Sequence, residues 1–384
     1  MYIVFSSILA FCIGLIIFPF LIRWIKQSNL MDLPGGRKIH KAAIPSMGGI
    51  GILIAFALII VLDIAHIPIG KYQYLLVSMA VLFLIGFLDD WKELSALQKL
   101  IGQLLAFTLV VVLGEVRLVS FYGLLGIGEL PLWLSYGLSI FLFVGLTNAY
   151  NLIDGLDGLA GTLGLISCSF LGAWFLATKH MSEGVICLVM AGSLLSFLVY
   201  NWYPAKIFMG DTGSLPIGFF VTVFLLIFVQ YNGILPDYSF YKFQAPITAG
   251  LIMLVICCYD TLRVFVRRLK KGKSPFAPDK SHVHHFLIRM GYRHDQVALF
   301  LGGIKCGLII LVLFLKDVQE IFLLPGVVLL VVAMGSMLNA LTLRRVREKV
   351  KNAPRVLAKS PYTVQKIQKE YNKVGDNPSL EIGK

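Results

Sequence analysis

Apolar runs long enough to cross a lipid bilayer decide what this chain can fold into. A helix rises about 1.5 Å per residue, so about 20 consecutive apolar residues span the hydrocarbon core. Eleven stretches meet that demand, at about 3–22, 46–65, 72–88, 98–114, 131–147, 158–178, 184–201, 213–231, 245–266, 297–315 and 320–341. Lipid offers the backbone no hydrogen-bond partners, so unbroken spans of this kind are helices. The expected fold is an all-α polytopic membrane protein of about 11 transmembrane helices. Residues 1–341 form its multi-span domain and 342–384 a basic tail. Of the 384 residues 58% are hydrophobic and 14% charged, and mean hydropathy is +0.82. Those values exclude an ordinary soluble domain. Residues 1–22 lack a basic leader and a small-residue cleavage site, so they read as a first span and not as a cleaved signal.

The net charge is +13, and its distribution orients the spans. One set of connections holds Arg23, Lys26, Arg37, Lys38, Lys41, Lys92, Lys99, Lys206 and a run from Arg267 to Arg293; the tail adds Arg344, Arg345, Arg347 and more. The alternate set holds little beyond Lys71, Arg117, Lys179, Lys242 and Lys316. The basic set is expected on the cytoplasmic side, with the N-terminus outside and the C-terminus inside. The excess charge thus faces membrane lipid, with no nucleic acid implied. Lys305 falls inside the tenth stretch, where it either snorkels or faces a protein interior. The six cysteines lie in apolar runs without metal-site spacing and read as buried hydrophobes.

Four polar clusters interrupt this apolar chain, all on the side assigned to the cytoplasm. In Asn148-Ala-Tyr-Asn-Leu-Ile-Asp-Gly-Leu-Asp-Gly, the residues Asn148, Asn151, Asp154 and Asp157 recur every three positions. On a helix that spacing makes one drifting stripe of oxygens. Carboxylates this close repel unless a cation or protons sit between them. A hard cation such as Mg2+ suits them, because it takes oxygen ligands and shares them with substrate phosphates. The bland alternative is a helix cap and a Gly-rich turn. Asp89-Asp90 ends the third stretch, where charge at the edge of hydrocarbon is costly. Glu93 follows one turn on, and Lys99 is expected to meet a phosphate or to snorkel. Asn201 opens the third cluster, which runs to Met209-Gly-Asp211-Thr-Gly-Ser214. There Asp211 either caps the next helix or holds a metal while the helix N-terminus faces phosphate.

The fourth cluster, Asp279-Lys280-Ser-His282-Val-His284-His285, offers cationic donors for a pyrophosphate; a Zn2+ site is the weaker alternative, since no Cys is near. The first basic loop, with Lys41 between Gly35-Gly36 and Gly48-Gly49, either cradles an anion or anchors the membrane. Acids suited to Mg2+ and bases suited to phosphates, gathered on one face of a membrane protein, fit phosphoryl transfer between a soluble nucleotide and a lipid.

Asp89-Asp90, Asn-Ala-Tyr-Asn-Leu-Ile-Asp-Gly-Leu-Asp-Gly, Met-Gly-Asp-Thr-Gly-Ser and His-Val-His-His, in that order, resemble the polyprenyl-phosphate N-acetylhexosamine-1-phosphate transferases. The resemblance runs from about residue 30 to 290. It implies transfer of a sugar 1-phosphate from a UDP-sugar to undecaprenyl phosphate, with release of UMP and use of Mg2+ or Mn2+. It also implies a multi-pass protein of the bacterial plasma membrane, with the active site facing the cytoplasm, and homodimer formation as in related membrane enzymes. By that resemblance Asp211 is a metal ligand, joined by Asp154. Asp89, Asp90, Asp154 and Asp157 form the catalytic set. Lys41, Lys99, Asn148, Asn151, Asn201, His282, His284 and His285 bind substrate. His-Val-His-His-Phe-Leu and Arg37-Lys-Ile-His40 are similar to the WecA and TagO branch, favouring UDP-GlcNAc as donor. Glu93 stands where the family often has a third Asp. The alternatives are the related MraY reaction with UDP-MurNAc-pentapeptide, a membrane transporter, and a non-catalytic scaffold.

Overall fold

The computed structural model describes residues 2–28, 31–32, 44–62, 64, 66–272 and 283–351. The chain divides into two compact units, Met1–Tyr259 with His294–Val327, and Asp260–Arg293 with Val328–Lys384. Helices α1 (Tyr2–Gln27), α2 (Gly49–Val61), α3 (Ile69–Lys92) and α4 (Ala96–Thr108, prolonged by a π turn at Leu109–Leu113) come first. Then follow α5 (Leu132–Ile153), α6 (Leu159–Ala177), α7 (Met181–Asn201) and α8 (Asp211–Ile234). The last are α9 (Pro246–Leu251), α10 (Val255–Leu269), α11 (Val283–Met290), α12 (His294–Phe314) and α13 (Glu320–Lys351). A two-residue strand pair joins β1 (Met31–Asp32) to β2 (Ile44–Pro45).

Among the described residues, ten helices are long and apolar enough to cross a membrane, one fewer than the sequence reading expects. The difference lies in stretch 46–65, whose helix α2 has 13 residues. At about 1.5 Å per residue it covers roughly 20 Å, short of a full span. Its direction still matches the expectation. Gly49 donates its N–H to Met209 O at 3.0 Å, next to the start of α8, so α2 leaves from that end. Helix α3 finishes there, with Gly86 against Asp211. α13 continues across residue 341 to Lys351 without a break.

α8 is the axis of the larger unit. It is buried along its apolar length, with α3, α5, α6 and α2 around it. Its Phe219 ring lies 5.8 Å from Phe107 of α4 and 5.5 Å from Phe143 of α5. Lipid is as apolar as these side chains, so helices here cohere by close packing. Gly86 lets α3 approach the start of α8 closely. A Cβ at that position would stand 2.3 Å from Asp211 O and 2.7 Å from Thr212 N. Gly86→Ala is therefore expected to wedge α3 from α8 at a cost of about 1–3 kcal/mol. Thermal unfolding in detergent checks this; an unchanged melting temperature contradicts it.

Lys305 resolves to the protein interior. It is 2% exposed, and its ammonium donates to Leu163 O at 2.7 Å, to Met253 O at 2.6 Å and to Ser167 Oγ. Three donors meet three acceptors, which ties α12 to α6 and to the turn after α9. At the end of the unit away from Asp211, Lys71 and Tyr231 both reach the buried Glu183. Cys168, Cys187 and Cys257 are buried, as expected, but Cys12 and Cys306 are on the helix surface; all are free thiols.

In the smaller unit, Asp260 Oδ1 accepts the Val283 N–H at 2.7 Å and so starts α11. The Arg263 guanidinium lies 4.3 Å from the Phe286 ring centre. Lys41, His282 and the side chains of His284 and His285 lie outside the described residues.

Candidate active site

The site begins with two local signals around Lys99. Glu93 ends α3 in a left-handed conformation (φ 52°) and is exposed. Ser95 and Gln98 then form a capping box: the Gln98 N–H donates to Ser95 Oγ at 3.3 Å, and the Ser95 N–H to Gln98 Oε1 at 3.0 Å. That starts α4 and leaves Lys99 in its first turn. A cation is disfavoured there by the helix dipole, and two carboxylates offset this. Lys99 Nζ is 2.9 Å from Asp89 Oδ2 and also pairs with Asp211 Oδ2. Asp89 is steadied further by the Leu94 N–H, which donates to Oδ1 at 2.9 Å.

Asp211 is held from a second side. Asn151 Nδ2 donates to Asp211 Oδ1 and to Ser214 Oγ, each at 2.8 Å. The sequence reading placed Asp211 before the helix, either capping it or holding a metal while the helix N-terminus faces phosphate. Instead Asp211 is the first residue of α8, and its N-cap is Gly210 with φ 69°. The carboxylate that caps α8 is Asp90 of α3. Its Oδ1 accepts the Asp211 N–H at 3.0 Å, and its Oδ2 accepts the Thr212 N–H at 2.9 Å and the Thr212 hydroxyl. These N–H groups are taken, so they do not face phosphate, contrary to that expectation. Asp89 and Asp90, adjacent in sequence, thus serve different partners.

The oxygen stripe does not lie on one helix. α5 stops at Ile153, so Asp154 is its C-cap (φ −75°, ψ 65°) and Asp157 sits in the turn that follows. Gly158 requires φ 75°, a conformation that breaks helical continuation. The four residues therefore separate. Asn151 and Asp154 belong to the Asp211 cluster. Asn148 donates to Gln103 Oε1 at 2.8 Å and accepts from Gln103 Nε2 at 3.2 Å; this reciprocal pair satisfies two amides between α4 and α5. Asn201 accepts the Gly158 N–H and donates to Ile207 O, both at 2.8 Å, so it joins two loops. Asp157 is 5% exposed; Oδ2 accepts the Ala205 N–H at 3.1 Å and Oδ1 is 3.1 Å from His294 Nδ1. The sequence reading overlooked Gln103 and His294, and it named Thr212 and Ser214 only as the helix start within the third cluster.

Asp89 and Asp211 flank the Lys99 ammonium, Asp90 binds the backbone N–H of Asp211, and Asp154 lies within reach of the Asp211 and Asp90 charges. Burial, and then the charges of Asp211 and Asp90, push the Asp154 carboxyl from 3.8 up to about 8, with the Gly210 N–H acting the other way. Crowded hard oxygen donors of this kind suit a divalent cation such as Mg2+. No three acidic, His or Cys side chains stand as a ready ligand set among the described residues.

The Asp154 shift sets a pH dependence. Its protonated form favours the fold in the absence of a cation, because the folded protein holds a proton that the unfolded chain gives up near pH 3.8. The contribution is complete below that value and is lost as pH rises through about 8. The melting temperature of chelator-treated protein is expected to fall from about pH 5 to about pH 8. Asp154→Asn is expected to flatten that slope; an unchanged slope contradicts the assignment.

Fold and site together define a polytopic helical membrane protein with a carboxylate–lysine centre where α3 ends and α4 and α8 begin. Residues 72–229 match the model of glycosyl transferase family 4. A Bacillus subtilis (strain 168) protein named as a probable undecaprenyl-phosphate N-acetylglucosaminyl 1-phosphate transferase is 34% identical over 298 residues, 77% of this chain and 80% of its own length. An Escherichia coli K12 undecaprenyl-phosphate alpha-N-acetylglucosaminyl 1-phosphate transferase is 32% identical, over 71% of this chain and 72% of its own. A Mycobacterium leprae decaprenyl-phosphate N-acetylglucosaminephosphotransferase is 32% identical, over 70% and 72%. The chain belongs to glycosyl transferase family 4, in its group of polyprenyl-phosphate N-acetylglucosamine-1-phosphate transferases.

Proposed function

We propose that this protein transfers N-acetylglucosamine 1-phosphate from UDP-GlcNAc to undecaprenyl phosphate and releases UMP, at the cytoplasmic face of the bacterial plasma membrane. The observation that carries the reading is Lys99 held between Asp89 and Asp211 at the point where α3 ends and α4 and α8 begin. A lipid phosphate and a water-borne pyrophosphate can both reach such a place. The relatives' names supply the sugar and the type of acceptor. The basic connections supply the sidedness.

In the proposed reaction an oxygen of the lipid phosphate attacks the β-phosphorus of UDP-GlcNAc. The bond from that phosphorus to the bridging oxygen breaks, and UMP leaves. A phosphate monoester has a second pKa near 6, so at neutral pH the attacker is largely a dianion. Asp89 then has only to accept a residual proton and orient the attacker. Lys99 sits where its ammonium can turn from the carboxylates to an incoming phosphate. Asn151 holds the Asp211 carboxylate in one orientation. Mg2+ or Mn2+, held by Asp211 and Asp154, would supply charge neutralisation to the pyrophosphate. His282, His284, His285 and Lys41 are proposed to contact the donor's pyrophosphate or sugar. One displacement suffices because the lipid already brings an anionic oxygen; an enzyme-bound phosphate formed from UDP-GlcNAc alone would contradict this route.

The test is purified protein in nanodiscs with sugar-labelled UDP-GlcNAc, with and without undecaprenyl phosphate and Mg2+. Label should enter the organic phase only with all components present. Retention of all label in water with every component supplied would reject the reading.

A further inference from the structure

His294 opens α12 next to Asp157, with Nδ1 3.1 Å from Oδ1, and the Tyr203 ring centre lies 5.2 Å from the imidazole centre. The turn that bears Asp154 and Asp157 is thus gripped from two sides. On one, the chain leaving α7 provides Asn201 to the Gly158 N–H and the Ala205 N–H to Asp157. On the other stands α12. That helix is itself fixed to α6: a Cβ on Gly302 would meet Thr162 Cγ2 at 3.0 Å, and Lys305 is bonded to Leu163 and Ser167. His294 therefore reaches Asp157 from a rigid support.

We infer that His294 is a positioning residue for the transfer: by holding Asp157 it fixes the turn on which Asp154 stands beside Asp211. The inference rests on the proposed transferase reading. The imidazole touches no reacting atom in this role. Its effect passes through Asp157 to Asp154, three residues earlier and proposed to serve the donor's pyrophosphate. Loosening the turn should therefore harm the UDP-GlcNAc side of the reaction and spare the lipid side. A side chain that only filled space would instead lower the active fraction and leave both Michaelis constants alone.

The experiment uses the full chain in nanodiscs, with His294→Ala, His294→Gln, Asp157→Asn and the double variant His294→Ala/Asp157→Asn. It reads kcat, both KM values, and UDP-GlcNAc affinity by calorimetry. His294→Ala is expected to raise the KM and Kd for UDP-GlcNAc about tenfold and to move the KM for undecaprenyl phosphate less than about twofold. His294→Gln, which keeps a polar group of similar reach beside Asp157, should recover to within about threefold of wild type, and the double variant should be no worse than the worse single one. Wild-type donor KM and Kd in His294→Ala, a fall in kcat alone, or additive losses in the double variant would overturn the inference. If His294→Ala does not fold, Asp157→Asn carries the same tenfold expectation, and a wild-type donor KM there overturns it. Wild-type protein that makes no lipid product removes the transferase reading itself, an outcome distinct from active wild type with an indifferent His294.

Discussion

Asp211→Asn is expected to lower kcat by about a thousandfold while leaving the protein folded. Its carboxylate pairs with Lys99 through Oδ2 and accepts from Asn151 through Oδ1. An amide of the same shape removes the charge that both partners face, and with it a hard ligand for a divalent ion. The helix that carries it should survive. The start of α8 is secured by Asp90, which takes the backbone N–H groups of residues 211 and 212, and neither bond involves the Asp211 side chain. Label transfer into lipid, read beside thermal unfolding, separates the two effects. Less than a tenfold loss, or a collapse in stability, would contradict this assignment.

Asp90→Ala is expected to do the reverse: stability falls by about 2–3 kcal/mol and activity by roughly a hundredfold. Its carboxylate accepts two backbone N–H groups and the Thr212 hydroxyl at the start of the most buried helix of the larger unit. Removing it strands donors that water cannot readily reach, so the first turn of α8 must fray or shift. That shift carries Asp211 away from Lys99 and Asn151, which is the source of the activity loss. Asp90→Asn should lie between, since an amide oxygen can replace one acceptor but not two. Thermal unfolding distinguishes this variant from Asp211→Asn: a lowered melting temperature is expected here and not there. Equal stability in the two variants would contradict the capping role.

What the sequence discloses here follows from how local each cause is. The spans are legible because lipid forces apolar runs into helices, and ten helices follow the expected stretches. Stretch 46–65 misleads because hydropathy counts the apolar residues beyond Val61 as span, although the helix has already ended there. The three-residue spacing of Asn148, Asn151, Asp154 and Asp157 was legible as chemistry and misleading as geometry. Gly155 and Gly158 stop the helix, and Asn148 is taken up by Gln103, 45 residues away. The Asp90 cap joins residues 121 positions apart, and nothing around Asp90 announces it. His294 likewise gains its place only when α12 returns to the turn after α5. The polar clusters could be read from the sequence one by one, whereas the contacts that join them arise from packing of distant helices.

The central claim is that this centre moves a phosphosugar, not a sugar alone, onto a lipid phosphate. The most direct measurement follows UDP-GlcNAc labelled at its β-phosphorus through one turnover with undecaprenyl phosphate. The account predicts that the label enters the lipid phase in equal amount to the UMP released. Label left in water as UDP, with only the sugar on the lipid, would contradict it.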